Sequence, residues 1–151
     1  GVKIWYEAVS VKPAAKLTDK RVAEKLDIER NWWQLQGVPY HLFVMTKQNQ
    51  IQSKNIQWVT APVRQGRKFP TDLIESALAL ISPGTMLTEE ICDEFVREFG
   101  IEHDDTLVLL KTLIATKMIH VDLNKPIADT GILNIVKVPD FKVVRNHASW
   151  A

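Results

Sequence analysis

Over residues 2–12 the chain reads VKIWYEAVSVK, a density of β-branched and aromatic residues that predicts a strand, ended by Pro13. Two-residue alternation places Ser10 and Lys12 on one face of that strand and Glu7 on the other. The period then changes. Val22, Ala23, Leu26, Glu29, Arg30 and Trp33 recur at helical spacing, predicting a helix over residues 20–35 capped by Thr18 or Asp19 and ended by Gly37. After Pro39 the apolar run at 40–46 reads as a buried strand, the polar stretch 47–53 as a loop, and NIQWV at 55–59 as a short closing element. Residues 60–70, with Pro62, Gly66 and Pro70 and no periodicity, read as a linker.

Beyond it three helical patterns follow. The first runs from Pro70 or Thr71 to Ile81 and is stopped by Pro83-Gly84; the second is capped by Thr88 and closed by Gly100; the third starts at Asp104 or Asp105 and ends at Met118. IHVDL at 119–123 and ILNIV at 132–136 flank the turn-rich NKPIADTG and predict a β-hairpin with a long tip. Three helices followed by a two-stranded wing is the order of a winged helix-turn-helix. From Pro139 onward the pattern gives no element. The chain therefore divides into residues 1–61 and a second domain, with linker, over 62–151, in an α+β class.

Composition sharpens this only in places. Net charge is +1, yet residues 1–61 hold nine Lys/Arg against five Asp/Glu, and the remainder ten against thirteen. A basic first part suits nucleic acid, whereas an acidic second part argues against a strong free-standing DNA binder. No apolar run approaches the roughly 20 residues of a membrane span, so a cytoplasmic protein with no membrane partner is expected. A single cysteine, Cys92, allows no internal disulfide and reads as core packing. His41, His103, His120 and His147 lack the spacing of a metal site.

Three stretches, in order, carry a family resemblance: Ser10-Val11-Lys12, then KLDIERNWWQLQGVPYHLFVMT over residues 25–46, then NIQWV from Asn55. They resemble the segment around and after the catalytic lysine of TnsA-type transposon endonucleases, subunits of heteromeric transposases. The resemblance implies that residues 1–61 are the C-terminal part of a restriction-endonuclease-like domain and that a winged-helix domain follows. It also implies Mg²⁺-dependent hydrolysis of duplex DNA at the 5′ transposon ends, beside a DDE-type transposase subunit and an AAA+ ATPase regulator in the bacterial cytoplasm. In such a site carboxylates hold the ion beside the scissile phosphate and a lysine stabilises the charge that develops there.

Lys12 matches the lysine, and Ser10 the metal-ligand position two residues before it, where the family has Gln or Glu. Serine is the poorer ligand, being short and neutral. The family's Glu and Asp lie further upstream of the lysine than the eleven residues preceding Lys12, so this chain by itself is expected to be inactive and to be a truncated form. Glu29 reads as a surface partner of Lys25 in preference to an active-site helper, and Trp32, Trp33 and Trp58 as core. Candidate phosphate contacts are Lys16 and Lys20, the linker cations Arg64, Arg67 and Lys68, then Lys111 and Lys117 on and after the third helix of the second domain, and Lys125 at the hairpin tip. Glu89, Glu90, Asp93, Glu94 and Glu98 make that domain's second helix acidic and favour protein contact there. The competing reading is a non-enzymatic winged-helix DNA-binding or adaptor protein; a lysine-bearing strand within a nuclease-like sheet, against an isolated hairpin, separates the two.

Overall fold

A computed structural model describes residues 1–141; residues 142–151, with His147 and most of the unassigned tail, lie outside the described residues. The chain forms two compact units, Gly1–Gln50 and Ile51–Ala151. The division falls earlier than the expected 61/62, and the reason is a helix. Instead of a loop, a short element and a linker, the sequence from Lys47 to Arg64 is one continuous helix. Lysine and glutamine are good helix formers despite their polarity, and Thr46 Oγ accepts a hydrogen bond from the Asn49 amide at its start. Ile51, Asn55, Trp58, Val59 and Pro62 share one helical face; a polar residue in the first half of that stripe conceals its period.

The first unit is a strand, helix, strand sequence: β1 (Ala8–Pro13), a 3-10 turn (Ala14–Lys16), α1 (Lys20–Leu35) and β2 (Tyr40–Met45), followed by the start of α2 (Lys47–Arg64). Residues 2–7, expected in the first strand, do not join it. Asp19 caps α1, its Oδ1 accepting from the Arg21 amide at 2.9 Å. Gly37, at φ +68°, supplies the left-handed turn after it. The two strands pair in parallel, Ala8 opposite Tyr40 through Pro13 opposite Met45. Among the described residues no side chain of this unit is fully buried. β2 was expected to be buried on both faces, but Leu42 is 40% and Phe43 49% exposed. Within this unit one helix covers one face of a two-stranded sheet, so the continuous apolar run is only partly enclosed.

The second unit holds the whole buried core. Besides α2 it contains α3 (Thr71–Ala79), β3 (Gly84–Leu87), α4 (Thr88–Phe99), α5 (His103–Ala115), β4 (His120–Val121) and β5 (Ile132–Lys137). Phe95, Leu109, Leu110, Leu113 and Leu133 are fully enclosed, and Cys92 packs among them as its pattern foretold. Burial pushes the Cys92 thiol above its ordinary range, which removes it from thiolate chemistry. The expected hairpin is present, β4 pairing antiparallel with β5. A third strand was not foreseen: β3 pairs with the other edge of β5, Gly84 opposite Ile135 through Leu87 opposite Ile132. Four residues beside a Pro-Gly stop carry too little alternation to announce a strand; the open edge of β5 makes it one.

The hairpin tip is tied down rather than projecting. Asn55 on α2, 1% exposed, donates from Nδ2 to the carbonyls of Leu123 at 2.9 Å and Lys125 at 2.8 Å, and its Oδ1 accepts from the Ile127 amide at 3.2 Å. Lys54 adds an ion pair to Asp129 at 2.6 Å, and Ile127 is buried beneath the loop. At the end of α5, Lys117 occupies the left-handed region at φ 61°, its amide donating to the Ile114 carbonyl at 3.0 Å. A lysine there carries a steric cost that glycine avoids. Its side chain is exposed, so Lys117→Gly loses no packing. It is expected to raise unfolding stability by about 1 kcal/mol, a midpoint increase of roughly 2–4 °C; thermal melts followed by far-ultraviolet circular dichroism check it, and an unchanged or lowered midpoint refutes the strain argument.

Candidate active-site face and basic surface

Along β1 the exposure alternates residue by residue: Ala8, Ser10 and Lys12 are half-buried while Val9, Val11 and Pro13 face outward. Parallel register gives Tyr40, opposite Ala8, and Val44, opposite Lys12, the same side. The covering element is α1, whose Val22, Leu26, Glu29 and Trp33 form its one half-buried stripe. Glu29 therefore points at the sheet. Ser10 Oγ donates a short hydrogen bond to Glu29 Oε2, and the Tyr40 hydroxyl donates to the same oxygen at 3.3 Å. Lys12 lies two residues from Ser10 on this face, and no ion pair engages it among the described residues.

Glu29 is where the sequence reading departs from the structure: it pairs inward with Ser10 and Tyr40, not along the helix with Lys25. Its position on the stripe of Val22, Leu26 and Trp33 was a signal for this, since a carboxylate on the covered face of a helix needs hydrogen-bond donors. Glu7, excluded as a neighbour of Lys12 by strand parity, does lie on the far side, its Oε2 3.7 Å from His41 Nε2. Of the aromatics, Trp33 and Trp58 are half-buried, but Trp32 is 52% exposed, with its ring 4.6 Å from Trp33 in an edge-on arrangement.

Chemically the face offers a hydroxyl, a phenol, an ammonium and one carboxylate. A magnesium site takes six oxygens, usually through one or two carboxylates with waters and substrate phosphate. Among the described residues no three His, Cys, Asp or Glu side chains converge in a metal-binding group. Glu29 alone, already accepting from two hydroxyls, does not make such a site, so these residues do not by themselves fit the ion, and no step is routed through it here.

The candidate phosphate contacts fall in both units. Lys16 and Lys20 are exposed around the turn into α1. In the second unit Arg67 bonds Asp105 at 2.7 Å and lies 5.6 Å from the Phe69 ring centre. The Lys111 ammonium sits 4.6 Å over the Trp58 ring, and burial holds it below the usual lysine range. Lys125 lies 4.0 Å from Asp122 on the tethered tip. Arg64, Lys68 and Lys117 are exposed and have no ion pair among the described residues. Internal engagement of Arg67 and Lys111 thus removes two cations from the free set.

Comparison with known proteins agrees with the resemblance read from residues 10–59. The family model described as "TnsA-like endonuclease N terminal" matches residues 1–45, the segment that forms β1, α1 and β2. The chain is 27% identical over 152 residues to "Transposon Tn7 transposition protein TnsA" of Escherichia coli, an alignment covering 92% of this chain and 54% of that protein. The chain thus spans about half the length of the curated relative it matches. Two independent comparisons support a TnsA-type endonuclease.

Proposed function

We propose that this chain is the lysine-bearing part of a TnsA-type endonuclease subunit of a transposase, acting in the whole protein to hydrolyse one strand of duplex DNA at the 5′ transposon ends. One observation carries the reading. Lys12 sits on the helix-covered face of a parallel strand pair, two residues from a serine whose hydroxyl is bonded to an inward carboxylate. A parallel β1–α1–β2 arrangement is what a nuclease-like sheet requires and an isolated hairpin would not provide. It favours the enzyme over the adaptor.

On this reading the Lys12 ammonium meets the scissile phosphodiester and stabilises the negative charge that grows on its oxygens. Ser10 is too short to serve as an acidic ligand, and Glu29 places a carboxylate at the position Ser10 vacates, held there by Ser10 and Tyr40. Mg²⁺ in the whole enzyme supplies Lewis-acid assistance, with further carboxylates from the part of the protein that this chain does not span. The chain alone is accordingly inactive.

The second unit fits a winged-helix module. Helix, strand, two helices and a hairpin follow one another, with β5 between β3 and β4 in the sheet. Its features favour protein contact over base reading. α5, which would enter the groove, buries Thr106, Leu109, Leu110, Thr112, Leu113 and Ile114 and carries Asp104 and Asp105 in its first turn. The whole protein would work in the bacterial cytoplasm with a DDE-type transposase subunit and an AAA+ regulator, Lys16 and Lys20 serving as phosphate contacts. No helix among the described residues is long and apolar enough to cross a membrane.

The test is strand-specific cleavage by the full-length protein on end-labelled transposon-end duplex, assayed with its transposase partner. Cleavage confined to the 5′ ends, abolished by a chelator and restored by Mg²⁺, is the expected result, with none from residues 1–151 alone. Chelator-insensitive cutting, or 3′-end cutting by this subunit, overturns the proposal.

A further inference from the structure

Within the second unit, an open groove of about 340 Å³ is walled by Val63, Phe69, Ile74 and Met118, with Thr112 and Thr116 along one side. Its lining is predominantly apolar, because the Thr112 and Thr116 hydroxyls already donate into α5's own carbonyls, to Val108 at 2.8 Å and Thr112 at 2.7 Å. Its charge is one-sided. Arg67 and Lys68 line it directly, and Arg64 and Lys117 adjoin lining residues in sequence. The acid bonded to a lining cation is Asp105, which neutralises Arg67. Lys68 is exposed and has no ion pair among the described residues.

An apolar floor under a basic rim is poorly matched to duplex DNA, whose backbone would meet the cations but put nothing into the floor. It is well matched to an amphipathic peptide, which places large apolar side chains in the groove and carboxylates against the rim. We infer that this groove is the docking site for an acidic amphipathic segment of a protein partner, a short stretch with two or three Leu- or Phe-sized anchors flanked by Asp or Glu. The inference stands whether or not the nuclease reading does, since it uses only residues of the second unit.

Peptide phage display with random 15-residue inserts against the immobilised full chain tests it, followed by fluorescence-anisotropy titration of the selected peptides. Enriched sequences are expected to combine acids with spaced apolar residues, to bind at least about fivefold more weakly to Lys68→Glu, and to weaken as salt rises. Met118→Asp, read alongside circular dichroism to confirm folding, removes the floor and should abolish binding. Amide shifts induced by the peptide should centre on residues 63–74 and 112–118. No enrichment above background overturns the inference, as does enrichment of neutral or basic sequences, indifference to Lys68→Glu, or displacement of the same shifts by a 20-base-pair duplex at equal affinity.

Discussion

Lys12→Ala in the full-length protein is expected to lower 5′-strand cleavage by about 10²–10³-fold, the loss found when one fixed donor is withdrawn from a developing oxyanion. The physical reason is positional. Lys12 is held by β1 on the face that α1 covers, so its ammonium is aimed before substrate arrives and little reorganisation accompanies the reaction. Because the side chain is only half-buried and unpaired, folding stability should change by less than about 1 kcal/mol. DNA affinity should fall only slightly, as one exposed cation contributes modestly to a salt-dependent total. Lys12→Arg keeps the charge but spreads it over a planar fork of different reach, and should recover a minor part of the rate. Single-turnover cleavage with separately measured affinity distinguishes the outcomes: a rate within threefold of the parent removes Lys12 from the chemistry.

Asn55→Ala is the second large effect, and it acts on stability. Asn55 satisfies two carbonyls and one amide of the loop between β4 and β5, and at 1% exposure none of those groups meets water while the side chain is present. Alanine leaves all three without their partner. Uncompensated groups of this kind cost 1–3 kcal/mol each, reduced by whatever water the new cavity admits. A net loss of about 2–4 kcal/mol follows, a large share of a typical domain's 5–15 kcal/mol. Asn55→Asp is nearly isosteric and separates packing from hydrogen bonding. At pH 7 its carboxylate still accepts from Ile127 but confronts the Leu123 and Lys125 carbonyls with no donor, so it should destabilise at least as much as alanine. Protonation restores one donor, so its deficit relative to the parent should shrink at pH 4. Urea unfolding of the three proteins at both pH values decides; equal stability of parent and Asn55→Ala would mean the loop does not depend on this residue.

These two residues also mark the limits of what the sequence revealed. Lys12 was legible because a strand's two-residue period is local: one run of β-branched residues sets which side chains share a face, and the resemblance at residues 10–59 supplied the chemistry. Asn55 was invisible. Its partners lie 68–72 residues away, and no nearby pattern distinguishes an asparagine that anchors a distant loop from one that starts a turn.

By itself the sequence determined α1, with its cap and its glycine stop, both parallel strands, the three later helices and the hairpin. Each follows from short-range spacing of apolar residues, caps and breakers. Only the tertiary structure decided the rest. It made α2 one helix from a polar stretch, recruited β3 onto the free edge of β5, and turned Glu29 from a surface charge into the partner of Ser10 and Tyr40. In each case the deciding force is a group whose partner is remote in the chain: an unpaired strand edge, a covered carboxylate in need of donors, an apolar stripe interrupted by a buried asparagine. Local patterning fixes which face an element presents, and what meets that face is settled by packing.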